Sequence, residues 1–119
     1  MSEVASKIFL KAHWMILLTA FSFSTYAAIP SQKDLDKGKD LYLANGCVAC
    51  HGVDGTPTLP QARSFKKDDP KIYKNGHSVE GIVKTINEGI AGTMMAKFPA
   101  IKNLADQKAL ASYVISLKK

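Results

Sequence analysis

Cys47-Val48-Ala49-Cys50-His51 is the stretch on which the reading of this chain turns. Two thiols followed at once by an imidazole admit three chemistries. A disulfide fits C-x-x-C in an exported protein, but the redox motif of that kind expects a preceding strand and a βαβ context, which the flanking sequence does not offer. Zinc needs two further ligands at finger-like spacing, and downstream of His51 only His77 remains. Covalent haem attachment uses all three side chains. Both sulfurs join the porphyrin vinyl groups, and His51 ligates the iron through one ring nitrogen while the other donates to a nearby carbonyl that fixes the tautomer. The rest of the chain must then supply a second axial ligand, an apolar wall around the ring, and a route out of the cytosol.

Immediately upstream, Ser31-Gln32-Lys33-Asp34 has the S-x-x-D form of a helix start, with Ser31 as cap and Asp34 at the positive end of the helix dipole. The spacing predicts a helix over 32–44, with Leu35, Gly38, Leu41 and Tyr42 on one face and Asn45-Gly46 as a left-handed stop. Glycine inside a helix costs about 1 kcal/mol relative to alanine, so Gly38 on the apolar face requires something packed against its bare backbone.

Further upstream, Lys7 and Lys11 precede an apolar run from Trp14 to Phe23 and a small, polar stretch ending Ser24-Thr25-Tyr26-Ala27-Ala28. This three-part build predicts a secretory signal peptide over 1–27, cleaved after Ala27, and a mature domain over 28–119. The apolar run falls short of the roughly 20 residues of a membrane span, so the alternative is an uncleaved anchor and membrane contact only through it. Export agrees with haem attachment, which takes place outside the cytosol, and places the protein in the periplasm.

Downstream, residues 52–71 carry Gly52, Gly55, Pro57, Pro60 and Pro70 without an apolar period and read as a loop wrapping something. Arg63, the only arginine of the chain, lies there in Pro60-Gln61-Ala62-Arg63-Ser64-Phe65. It has two readings, a solvated surface cation or a fork of donors holding a haem propionate. A second helix is predicted over 78–88, capped by Ser78, with Val79, Ile82, Val83 and Ile86 at helical spacing. His77, in a polar turn, reads as an exposed side chain rather than an iron ligand. The following Gly89-Ile90-Ala91-Gly92-Thr93-Met94-Met95 holds two candidate thioether ligands, one able to bind iron and the other to fill space. A last helix over 104–118 carries Leu110, Tyr113, Val114 and Leu117, and the ring of Tyr113 is the expected seat on Gly38.

The net charge of +6 comes almost entirely from scattered lysines, without the arginine-rich run or stacked aromatics of a nucleic-acid binder. It reads as a lysine-bearing surface that steers an acidic partner. About 90 mature residues make one domain with a small core, to which a buried cofactor would add much.

Taken together, Gly38-x-x-x-Tyr42, Cys47-x-x-Cys50-His51-Gly52, Gly92-Thr93-x-Met95 and Leu110-x-x-Tyr113 resemble the class I cytochromes c, small monohaem bacterial exported electron carriers. The resemblance implies an all-α fold of three main helices and loops wrapped around one covalent haem c per chain. It implies thioether bonds from Cys47 and Cys50, axial ligation by His51 and Met95, a propionate contact from Arg63, and a carbonyl near Pro60 accepting from His51. Two departures from the family pattern stand out. Ala96 occupies a position where proline commonly follows the ligand methionine, and Met94 leaves the choice of ligand open. The implied function is one-electron transfer with redox protein partners, without nucleic acid, small-molecule substrate or enzymatic turnover. Rival readings are a haem enzyme or sensor with an open sixth iron position, and a cytochrome subunit of a larger respiratory complex.

Overall fold

The structure is a computed structural model that describes residues 28–66 and 74–118; the expected signal peptide over 1–27, the end of the loop near Pro70, and Lys119 lie outside the described residues. Its helices, in chain order, are α1 (Gln32–Ala44), α2 (Cys47–His51), α3 (Val79–Glu88) and α4 (Leu104–Ser116). Among the described residues there is no strand, and no helix is long and apolar enough to cross a membrane.

Helix α1 starts as its sequence dictates. Ser31 and Asp34 form a reciprocal capping box, in which the Asp34 amide donates to Ser31 Oγ and the Ser31 amide donates to Asp34 Oδ2. The Ser31 hydroxyl, donating to Asp34 Oδ2 at 2.6 Å, and then the Ser31 amide on the same oxygen hold the Asp34 carboxyl below its usual range. At the other end Asn45 is the C-cap and Gly46 turns left-handed at φ 73°, which redirects the chain into α2.

The main helix–helix contact joins α1 to α4; α3 packs on the same helix, and α2 on α1. The contact with α4 explains Gly38. A methyl group there would run into the Ala109 carbonyl and lie 2.6 Å from Tyr113 Cβ. The seat is therefore the backbone of α4 at Ala109 together with the base of Tyr113, rather than the ring expected from the sequence. The Tyr113 ring instead meets Tyr42 edge-on, with centroids 5.4 Å apart at 64°. Tyr42 is 1% exposed and joins Ile86, Ile101, Leu110 and Val114 in one apolar cluster.

Helix α4 differs from expectation in two ways. It ends at Ser116 with Leu117 as its C-cap, because the Leu117 and Lys118 amides bond three residues back and tighten the last turn. Its buried surface is also wider than a single stripe. Ala109, Ala111 and Gln107 are buried beside Leu110 and Val114, while Tyr113 and Leu117 are half-buried. A helix packed on both α1 and α3 hides more than one face, and the alanines permit the close approach.

Candidate functional site

The site is built from the short helix that sequence patterning missed. Five residues are too few for a recognisable period, yet in helical geometry positions i, i+3 and i+4 share a face. Forming α2 therefore presents Cys47, Cys50 and His51 side by side, all half-buried. The helix stops at Gly52, whose amide donates to the Val48 carbonyl at 3.0 Å. Gly52 sits at φ 77°, and a Cβ there would collide with the Thr56 carbonyl, so the turn requires glycine. Tyr42 of α1 locks the same turn from below, its hydroxyl donating to the buried Gly52 carbonyl at 2.6 Å.

His51 is held on two sides by one loop segment. Its Nδ1 lies 3.0 Å from the Arg63 carbonyl oxygen, and its ring stacks on Phe65 with centroids 4.3 Å apart at 19°. A carbonyl only accepts, so Nδ1 carries the hydrogen and Nε2 carries the lone pair. Burial lowers the His51 pKa and so favours the neutral ring a metal requires, while the bond to the Arg63 carbonyl, which partly opposes that lowering, selects the tautomer that leaves Nε2 unprotonated. Burial pushes the Cys47 thiol up, keeping it protonated. The expected carbonyl partner near Pro60 is thus that of Arg63. Phe65 is a site residue that sequence reasoning noted only as a neighbouring aromatic. Its signal was the spacing from Arg63, which sets a carbonyl and a ring two residues apart in the same loop.

The two cysteines and His51 line a cavity of about 680 Å³, within the range of small-molecule and cofactor sites. Its apolar wall comes from Tyr42, Ile82, Ile86, Phe98, Leu110 and Val114, all of which belong to the apolar cluster or pack against it. Arg63, Met94 and Met95 line the same cavity. Met94 is 75% exposed, whereas Met95 is half-buried and its backbone is tied into a turn. The Met95 amide donates to Thr93 Oγ1 at 3.1 Å, its carbonyl accepts from the Ile90 amide at 2.8 Å, and the Thr93 hydroxyl donates to the Ile90 carbonyl at 2.8 Å. His77 is half-buried rather than exposed and is not among the residues lining the cavity. Arg63 and Lys74 are the cationic residues of the described lining.

Two thiols, a neutral imidazole with a free Nε2, a thioether and a large apolar hollow are the donor set and the shape that a covalently held haem requires. Comparison with known proteins agrees. Residues 35–118 match the Cytochrome c family. Over 107 residues the chain is 33% identical to the cbb3-type cytochrome c oxidase subunit FixP of Bradyrhizobium diazoefficiens, covering 86% of this chain and 34% of that protein. The chain therefore spans about a third of that relative's length, as the 34% coverage shows. A solved structure, the KustC0563 c-type cytochrome, superposes with a TM-score of 0.54 at 38% identity, covering 69% of this chain and 98% of that one. With its helices, its apolar cavity and its C-x-x-C-H helix accounted for, the chain belongs to the cytochrome c family, an all-α domain that holds haem c covalently and serves electron transfer.

Proposed function

We propose that the protein is a periplasmic carrier of single electrons, with its haem held by Cys47 and Cys50 and ligated by His51 and Met95. The observation that carries this reading is the contrast between the adjacent methionines. Met95 is half-buried on a loop ordered by four hydrogen bonds among Ile90, Thr93 and Met95, while Met94 is largely in solvent. A ligand needs the first environment.

The residues divide the work as follows. Cys47 and Cys50, side by side on one face of α2, would hold the haem through two thioether links. The Arg63 carbonyl and the Phe65 ring hold the imidazole in an orientation and tautomer in which Nε2 would be the atom to ligate iron. When bound, haem supplies the one-electron iron couple, whose potential a methionine opposite histidine raises. The apolar wall excludes water, which keeps the ligand set unchanged between oxidation states. The Arg63 side chain, at the cavity lining, is placed to pair with a propionate. Residues 1–27 act as the export signal, leaving 28–119 as the haem domain, and the +6 charge favours a redox partner with an acidic face.

A second reading follows from the likeness to FixP, a named oxidase subunit. In it this domain serves as an electron-transfer subunit of a larger respiratory complex. Purification from membranes at low salt distinguishes the two: a shuttle leaves with the soluble fraction, and a subunit co-purifies with its complex.

The ligand assignment is tested by visible spectra of the oxidised holoprotein. Met95→Ala is expected to lose the weak methionine-to-iron band at the red end of the spectrum, and Met94→Ala to keep it. Survival of the band in Met95→Ala with its loss in Met94→Ala refutes the assignment in favour of Met94, and absence of the band from the unaltered protein restores the open-site reading.

A further inference from the structure

Gln107 is the one polar side chain among the described residues that is buried, at 5% exposure, in a core otherwise apolar. Burying a carboxamide is unfavourable unless its hydrogen-bonding groups are met, so its partners show what it is for. Its Nε2 donates to Asn87 Oδ1 and to the Ile101 carbonyl, both at 2.7 Å, and its Oε1 accepts from Asn87 Nδ2 at 3.1 Å. Both hydrogens of the amide are engaged. Turning the amide over would set Oε1 against the Ile101 carbonyl, so the network allows a single orientation.

Those partners bracket the methionine loop. Asn87 lies in the last turn of α3, Gln107 in the first turn of α4, and Ile101 on the segment that joins Met95 to α4. Within the loop the Phe98 amide donates to the Ile86 carbonyl at 2.8 Å, and the Ile101 amide to the Phe98 carbonyl at 3.2 Å. The anchors therefore run from α3 through Phe98 to Ile101, and Gln107 ties that end to α4. Ile101 is itself buried, so its carbonyl cannot exchange this donor cheaply for water.

The geometry points to Gln107, held by Asn87, as the positioning residue that keeps the Met95 loop closed on the cavity. This rests on Met95 as the axial ligand. Gln107 touches no ligand; it acts by raising the free energy of the state in which the loop, and with it the thioether, moves away. An external ligand that enters only when the methionine has left binds with an apparent affinity set by the population of that open state.

The experiment is imidazole titration of the ferric holoprotein, followed at the methionine-to-iron band, beside urea unfolding followed by far-ultraviolet circular dichroism. Gln107→Met keeps the side-chain volume and removes every bond, and is expected to tighten apparent imidazole binding by about tenfold, as for a buried carbonyl stripped of its donor. Asn87→Ala, at an exposed position where folding is safe, is expected to tighten it by a smaller factor. Ala111→Gly weakens the same helix away from the loop, and is expected to lower the urea midpoint while leaving imidazole affinity unchanged. If Gln107→Met and Asn87→Ala lower the urea midpoint without changing imidazole affinity, the side chain only packs the core and the inference falls. Met95→Ala separates the premises. Tight imidazole binding in that variant confirms the ligand and leaves the clamp judged on the other two; unchanged binding overturns the ligand assignment and the inference with it.

Discussion

Gly38→Ala sets two effects of opposite sign against each other on the α1–α4 interface. Alanine is favoured over glycine in a helix interior by about 1 kcal/mol, so propensity alone predicts stabilisation. The added methyl, however, would lie 2.6 Å from Tyr113 Cβ and 2.8 Å from the Ala109 carbonyl carbon, with the carbonyl oxygen nearer still. None of these atoms is the end of a flexible side chain. Carbon atoms rest at about 3.5–4.0 Å, so the helices must part by roughly 1 Å. Overpacking of this kind costs about 1–3 kcal/mol. Parting the helices also loosens the Tyr42–Tyr113 edge contact, a geometry worth about 0.5–1.5 kcal/mol. Setting about 3 kcal/mol of strain and lost contact against about 1 kcal/mol of propensity leaves a net destabilisation of about 2 kcal/mol. With a urea slope of about 2 kcal/mol per molar, the unfolding midpoint of the holoprotein falls by about 1 M at unchanged slope. Circular dichroism across a urea series measures it. A midpoint equal to or above that of the unaltered protein would show that α1 and α4 do not meet as closely as described, and the argument for Gly38 would fail.

Two further outcomes follow from hydrogen bonds that anchor the site. Tyr42→Phe deprives the buried Gly52 carbonyl of its donor and is expected to cost about 1–3 kcal/mol in urea unfolding. Burial raises the Tyr42 pKa above its ordinary 10.0, so the native state prefers the neutral phenol. That contribution is whole below pH 10.0 and is lost as pH rises beyond it, so the variant should show a shallower alkaline loss of stability than the unaltered protein. Asp34 behaves in the opposite sense. Its pKa lies below the ordinary 3.8 chiefly through its bonds to Ser31, so its contribution is present above 3.8 and lost as pH falls through the native value. Asp34→Ala is expected to flatten the acid limb of a stability–pH profile, and an unaltered limb would show that the capping box does not persist in solution.

Much of the site was legible in the sequence because its chemistry is local. Cys47, Cys50 and His51 lie within five residues, and Ser31 with Asp34, Asn45 with Gly46, and Ser78 with Gly81 act over three residues or fewer. Spacing alone decides which of these groups meet, and the three longer helices appear where the caps and apolar periods place them. That local grammar also carried the family resemblance, which the match over residues 35–118 bears out.

Tertiary structure decided the contacts that no short spacing encodes. The acceptor for His51 lies 12 residues away and is a backbone carbonyl, a group every residue carries, so no letter could single out Arg63 for it. Gln107 and Asn87 are 20 residues apart, and a glutamine in the first turn of a helix reads as solvated until α3 and the Ile101 segment close over it. The seat on Gly38 proved to be the Ala109 backbone because interhelical distance, set by the small residues of both helices, determines which atoms come closest. The sequence by itself determined the family and its covalent haem c, pointed to Cys47 to His51 as the place of attachment, and gave roughly the elements that surround it. Only packing gave Met94 and Met95, identical in chemistry and adjacent in the chain, a solvent-facing and a half-buried environment.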